Sequence, residues 1–398
     1  PVPNRAASLT DYAIALRIAG LIRDGGTLQI GIGSLGDAIA YSIGRRRTHN
    51  EQFRLLLDAL GPHDIPQELD DLPQGLYGAS EMFVEGFLHL RDLDILKRTV
   101  ANGIFLHAGF FLGPQAMYQQ LRDMPQNEAK KICMTDIAYV NQLYGCEEIA
   151  RLQRQKARFI NTTIMVSLLG AACSDGLEDG RKISGVGGQY NFVAMAHALD
   201  DARSVLMCRS TRTKGDDVSS NIVWNYGHTT VPAHLRDIVI TEYGIAMLRG
   251  QREKDVVARM LNITDSRFQE QLLQQAKDAG KISQDYVIPE QFRDNTPQRL
   301  ERIAARMRPE GLFPKYPFGS DFTPEEMVLA DVLQALKVKM GSRRTLFKTL
   351  AGAVGAAGSL PDAAKPYLAR MGLDKPTDIK ETAVQKLIVA ELKAAGYV

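Results

Sequence analysis

Short runs of β-branched and apolar residues, each followed by a stretch of helical periodicity, constrain this chain more than any other feature. Apolar positions recur at helical spacing from Asp11 to Ile22, with Thr10 as the candidate N-cap, and Gly25-Gly26 then breaks the pattern before Thr27-Leu28-Gln29-Ile30. The strand signal returns at Gly103 to His107, Lys131 to Thr135, Phe159 to Val166, Ser204 to Cys208 and Asp237 to Thr241, several of these runs being separated by helical patterns. A strand that feeds a helix and then another strand pairs in parallel, so the alternation predicts an α/β fold with a largely parallel sheet flanked by helices.

The chain's 398 residues exceed the roughly 100–200 of one ordinary domain, and composition shifts near the end. Pro309, Gly311, Pro314, Pro317, Gly319 and Pro324 crowd one short span that regular structure cannot accommodate. We therefore expect an α/β domain over 1–307, a linker over 308–326 and a small helical C-terminal module over 327–398. Helical periodicity marks Pro324 to Met340, Arg343 to Ala353 and Thr377 to Ala395.

Charge and cysteine usage remove several function classes. Against 46 acidic residues stand 48 basic ones, a net charge of +2 that supplies no overall field for nucleic acid or an anionic membrane. Thr163 to Cys173, the most apolar stretch, is about half the roughly 20 residues of a spanning helix. Cys133, Cys146, Cys173 and Cys208 form no C-x-x-C pair, which fits reduced thiols in a cytoplasmic protein. The chain opens at Pro1 without an export signal, so its true start is expected to have been removed or to lie upstream.

Two glycine-rich turns are candidates for ligand binding. Gly31-Ile32-Gly33-Ser34-Leu35-Gly36 is a formal G-x-G-x-x-G after a strand and before a helix, but Glu51 to Leu60 reads as helix where a dinucleotide site needs a second strand ending in an acidic residue. A nicotinamide-dependent oxidoreductase is thus the weaker reading of that turn; a close backbone approach to an acyl-CoA is the preferred one. In Gly185-Val186-Gly187-Gly188-Gln189, three glycines in four positions can aim backbone N–H groups at a negative oxygen, or simply make a tight strand-to-helix turn.

Two carboxylates are candidates for chemistry, although each taken singly reads as an ordinary strand-end charge before it reads as a catalyst. Glu81 lies in Gly78-Ala79-Ser80-Glu81-Met82-Phe83, among small and apolar residues, and Glu242 follows the apolar run Ile238 to Ile240 at a strand's carboxyl end, where α/β folds place ligands. The seven histidines, His49, His63, His89, His107, His197, His228 and His234, include no metal-binding pattern, so no metal site is expected. Nor is there a G-x-S-x-G elbow or a phosphate-binding G-x-x-x-x-G-K-[ST] loop. Arg45-Arg46-Arg47 reads as a solvated face with one cation free to meet a CoA phosphate.

Taken together, Leu28 to Gly33, Ser80-Glu81-Met82, Ile160-Asn161, Gly185 to Phe192 and Thr241 to Gly250 resemble, in order and spacing, the acetyl-CoA hydrolase/transferase family within the class I CoA-transferases. The resemblance runs from about Leu21 to Ala279 and corresponds to the family's C-terminal half. It implies that Glu81 is the nucleophile, that Gly187 and Gly188 supply oxyanion-binding N–H groups, that Asn161 lines the site and that Glu242 assists or orients. Gly31, Gly33, Gly185 and Gln189 would then face the acyl-CoA. It further implies acyl-CoA and small carboxylates as substrates with no tightly bound cofactor, a preceding α/β half, and a homo-oligomer. Asn191 and Met247 stand where family members commonly have aspartate, Arg45 to Gln74 and His107 to Leu152 look long, and the tail after about Phe318 lies outside the resemblance. The rival reading from another class is a non-catalytic acyl-CoA-binding or assembly module.

Overall fold

In this computed structural model the described residues are 1–61, 65–307, 312–340 and 360–398. They form two compact units, one of residues 1–211 with 220–319 and the other of 212–219 with 320–398. Strands in chain order are β1 (Thr27–Gln29), β2 (Tyr77–Phe83), β3 (Leu106–Phe111), β4 (Ile132–Met134), β5 (Arg158–Thr162), β6 (Met165–Ser167), β7 (Ala172–Cys173), β8 (Arg203–Met207), β9 (Thr211–Lys214), β10 (Asp217–Ser220), β11 (Ile222–Val223), β12 (Ile238–Thr241) and β13 (Gly244–Met247).

The first unit is built on an eight-stranded sheet of order β13-β12-β8-β5-β1-β2-β3-β4. Every adjacent pair is parallel except β12 with β13, which form an antiparallel hairpin at one edge. Successive residues of one strand enter different cores: Phe159 packs in one cluster and Ile160 in another, and Val239 is separated in the same way from Ile238 and Ile240. Both faces of the sheet are therefore covered, which is why its strands read as unbroken apolar runs instead of alternating ones.

From β1 the chain winds outward through β2, β3 and β4, then returns to lay β5, β8 and β12 on the other side of β1. Such a reversal of winding leaves a crevice beyond the carboxyl ends of the strands that flank it. The reversal sits at β1, with β2 and β5 on its two sides.

Three expectations shift. The first helix is Leu9–Ala19 and its cap is Ser8, not Thr10: Ser8 Oγ accepts from Asp11 N at 3.1 Å and the Asp11 carboxylate accepts from Ser8 N at 3.0 Å, a reciprocal capping box. The strand expected at Gly103 to His107 starts only at Leu106. Arg46 is not solvated. It is buried, and it donates to Asp70 O at 2.7 Å and to Ala19 O and Ile22 O at 2.9 and 2.7 Å, satisfying carbonyls at and just beyond the end of the first helix. Arg47 meanwhile pairs with Asp71 and Asp94.

In the second unit, helices Pro324–Met340, Lys365–Arg370 and Ile379–Ala394 bury Leu329, Val332, Leu368, Ile388 and Leu392 against one another. Asp378 caps the last of them by accepting from Glu381 N at 2.7 Å. The helix expected over Arg343 to Ala353 lies outside the described residues, as do His63 and the first four positions of the expected linker. Among the described residues no helix is long and apolar enough to cross a membrane.

Candidate active site

At the carboxyl edge of the sheet lies a cavity of about 260 Å³ around Glu81. Its walls come from the ends of four strands: Gln29 of β1, Ser80 to Met82 of β2, Ile160 to Thr162 of β5 and Met207 of β8. Gly31, Ile32 and Gly36 close one side and Gly185 to Gln189 with Phe192 the other. The topology alone thus brings the two glycine-rich turns to opposite lips of one crevice.

Glu81 belongs to a strand that the sequence pattern did not disclose. Glycine, alanine and serine give Tyr77–Phe83 little strand propensity, yet it forms a central strand whose small residues fit tight surroundings. A side chain at Gly78 would collide with Leu106, while Ser80 Oγ donates to Ile30 O at 3.0 Å and ties the strand to the first glycine turn. Glu81 then emerges half-buried near the strand's end, facing the second turn.

That turn is shaped around the carboxylate. A methyl group built on Gly187, whose φ is +50°, would come within 2.9 Å of Glu81 Oε1. On Gly188 it would overlap both Glu81 Oε2 and Asn141 Nδ2. Real side-chain carbons do not approach so closely, so only glycine leaves room for the acid here. Gly188 caps the Gln189–Ala198 helix, and neither Gly187 N–H nor Gly188 N–H has a hydrogen-bond acceptor among the described residues. Unpaired amides at a helix start are the natural receptors of an oxyanion.

Asn141 is the residue that sequence reasoning missed. It ends the short Ile137–Asn141 helix, itself capped by Asp136, and its Nδ2 donates to Glu81 Oε2 at 2.7 Å. The side chain is 6% exposed and its Oδ1 has no partner among the described residues. No local motif surrounds it: Asn141 lies 60 positions from Glu81, inside the segment that fitted the resemblance least.

The remaining site expectations divide. Asn161 lines the cavity and donates to Gln29 Oε1 at 3.2 Å; Gln189 lines it and donates to Thr162 O at 2.8 Å; Gly31 and Gly185 also face it. Gly33 does not. It lines a neighbouring cavity of about 180 Å³ with Asp37 and Glu85. Glu242 is also elsewhere, because β12 is four strands from β2, roughly 19 Å at the usual spacing of about 4.8 Å. Its buried carboxylate accepts from Ser210 N at 2.9 Å and Ser210 Oγ at 2.6 Å, and burial raises its pKa. Any influence on Glu81 would have to be indirect.

Asn191 and Met247 line neither cavity. His107 of β3 lies 2.7 Å from the Tyr77 hydroxyl, with its pKa pushed down to about 4 by burial. Among the described residues no group of three or more His, Cys, Asp or Glu could hold a metal ion.

Residues 113–276 match the acetyl-CoA hydrolase/transferase C-terminal domain. Over that segment the chain is similar to the C-terminal domain of the family. The matched segment holds Asn141, Asn161, the 185–189 turn and Glu242, whereas Glu81 lies upstream of it. Matches to whole relatives are longer than that segment. The chain is 26% identical over 271 residues to the 4-hydroxybutyrate coenzyme A transferase of Clostridium kluyveri, covering 67% of this chain and 54% of the relative. It is 26% identical over 291 residues to the butyryl-CoA:acetate CoA-transferase of Anaerostipes caccae, covering 69% and 55% respectively. RipA from Yersinia pestis superposes with a TM-score of 0.56 at 25% identity, over 71% of this chain and 56% of that one. The chain spans about half the length of the curated relatives it matches.

Proposed function

We propose that this chain supplies the nucleophile-bearing half of an acyl-CoA:carboxylate CoA-transferase, or of an acetyl-CoA hydrolase that uses the same intermediates. The supporting observation is the meeting of Glu81 with the Gly187-Gly188 turn and Asn141 at the carboxyl edge of the sheet. A carboxylate held by one side-chain amide, beside backbone N–H groups without acceptors, is suited to covalent acyl chemistry.

In this reading a Glu81 oxygen attacks the thioester carbonyl, the C–S bond breaks, and CoA thiolate leaves behind an acyl-glutamyl anhydride. The thiolate then attacks the glutamyl carbonyl, releasing the acid and leaving a glutamyl-CoA thioester. An acceptor carboxylate reverses both steps and departs as the new acyl-CoA; water at either activated carbonyl gives hydrolysis instead. Each attack creates an oxyanion, and one pre-placed donor is worth about 10²–10³ in rate. Transferase and hydrolase then differ mainly in how well water is kept from the intermediate.

The resemblance to longer relatives supports a partner α/β half in the same protein, an oligomeric assembly of identical chains, and a cytoplasmic setting with the four cysteines reduced. Neither nucleic acid nor a membrane figures in the proposal. The test is to incubate the full-length protein with acetyl-CoA, reduce with borohydride and map the modified peptide. Label at Glu81 supports the reading. Stoichiometric CoA binding with no label would favour a binding module.

A further inference from the structure

The cavity around Glu81 has a distinctive charge balance: among the described residues Glu81 is its one ionisable lining residue, and no lysine, arginine or histidine lines it. Ile30, Ile160, Phe192 and Met207 are all at most 3% exposed and give it an apolar interior. The polar side chains beside them are uncharged: the Ser80 and Thr162 hydroxyls and the carboxamides of Gln29, Asn161 and Gln189, of which Asn161 donates to Gln29 and Gln189 to the Thr162 carbonyl while Gln189 Oε1 has no partner among the described residues. Ile32 and Val186, by contrast, are 43% and 39% exposed and stand at the opening.

Size assigns the occupant of the interior. About 260 Å³ holds roughly eight or nine water-sized groups at about 30 Å³ each, which is far too little for a CoA nucleotide with its pantetheine arm. The CoA must leave by the open side, and the space behind Glu81 falls to the acyl group. A second carboxylate on that group would enter an apolar space already holding one negative charge, with no cation among the described lining residues to pair it.

Resting on the reading of Glu81 as nucleophile, we infer that the acid activated here is a short monocarboxylate with an uncharged tail, and that this lining discriminates against dicarboxylic acyl groups. Thr162 is the position from which the preference could be altered. It is exposed at the end of β5 and lines the cavity, so a longer side chain there disturbs no core.

The experiment compares kcat/KM of the full-length protein for acetyl-, propionyl- and butyryl-CoA with that for succinyl- and glutaryl-CoA, and maps the Glu81 peptide in each case. An unpaired buried charge should cost the dicarboxylic substrates about tenfold to a hundredfold. In Thr162→Arg the gap should narrow through a gain for succinyl-CoA. Succinyl-CoA at parity with butyryl-CoA, while Glu81 still acquires label, would overturn the substrate class and leave the nucleophile standing. Absence of label from every thioester would overturn the nucleophile, and this inference with it.

Discussion

Alanine in place of Gly188 tests the geometry of the site with little disturbance of the fold. Gly188 has φ −82° and ψ 7°, a negative-φ conformation open to alanine, so the backbone at the helix start need not move. Reduced freedom in the unfolded chain even favours the variant, by about 0.4–1 kcal/mol. The new methyl, however, overlaps Glu81 Oε2 and Asn141 Nδ2 and stands 2.7 Å from Asn141 Cγ. Ordinary carbon contacts begin near 3.5 Å, so the amide must retreat by about 1 Å and take its carboxylate partner with it. A misplacement of that size costs about a hundredfold in catalysis. Thermal melting should therefore shift by no more than about 5 °C, while kcat/KM for acyl-CoA falls by about two orders of magnitude. Wild-type kcat/KM at an unchanged melting temperature would refute the idea that Glu81 works against this turn.

Glu81→Gln keeps the size of the side chain and should lower kcat by at least about 10³-fold, whereas binding of CoA, read by calorimetry, stays within a few-fold. Asn141→Ala removes the 2.7 Å bond to Glu81 and should cost about tenfold to a hundredfold in kcat/KM, with steady-state kinetics as the measure. Asp37 is pushed up to about 7 by burial and the neighbouring charge of Glu85. Its folded form holds its proton more tightly than the unfolded one, so the stability it lends is full below about pH 4 and is lost as pH rises toward 7 and beyond. Asp37→Asn should accordingly raise stability at pH 8 by on the order of 2 kcal/mol and flatten the slope in urea melts between pH 5 and pH 8. Arg46→Ala strips the Ala19 and Ile22 carbonyls, both in buried bonds, and the partly exposed Asp70 carbonyl of their donor and should cost about 3 kcal/mol or more in the same assay.

The fold class and most strands were legible because a sheet buried on both faces needs continuous apolar segments, and those are visible locally. Where packing selected small residues, the signal vanished. Tyr77–Phe83 is a central strand whose glycine, alanine and serine are dictated by Leu106 and the Ile30 carbonyl, groups that no window on the strand itself contains. The glycine turns were readable for the converse reason, since crowding around Glu81 leaves glycine as the residue that fits. Asn141 carried no such mark. Its importance comes from a contact across 60 positions, and a lone asparagine at the end of a five-residue helix looks like any other. Glu242 misled in the opposite direction: a strand-end carboxylate satisfies the local pattern, but strand order, which local sequence does not encode, sets it far from β2.

The most direct test follows oxygen atoms. When a carboxylate acceptor whose two oxygens are heavy-isotope-labelled attacks the glutamyl-CoA thioester, one labelled oxygen becomes the bridge of the anhydride and stays on the glutamate as the new acyl-CoA departs. After turnover with unlabelled acetyl-CoA, the peptide containing Glu81 should carry heavy oxygen, and mass spectrometry should localise it to that side chain. Turnover that leaves Glu81 with ordinary oxygen, or places the label on another residue, would contradict the account.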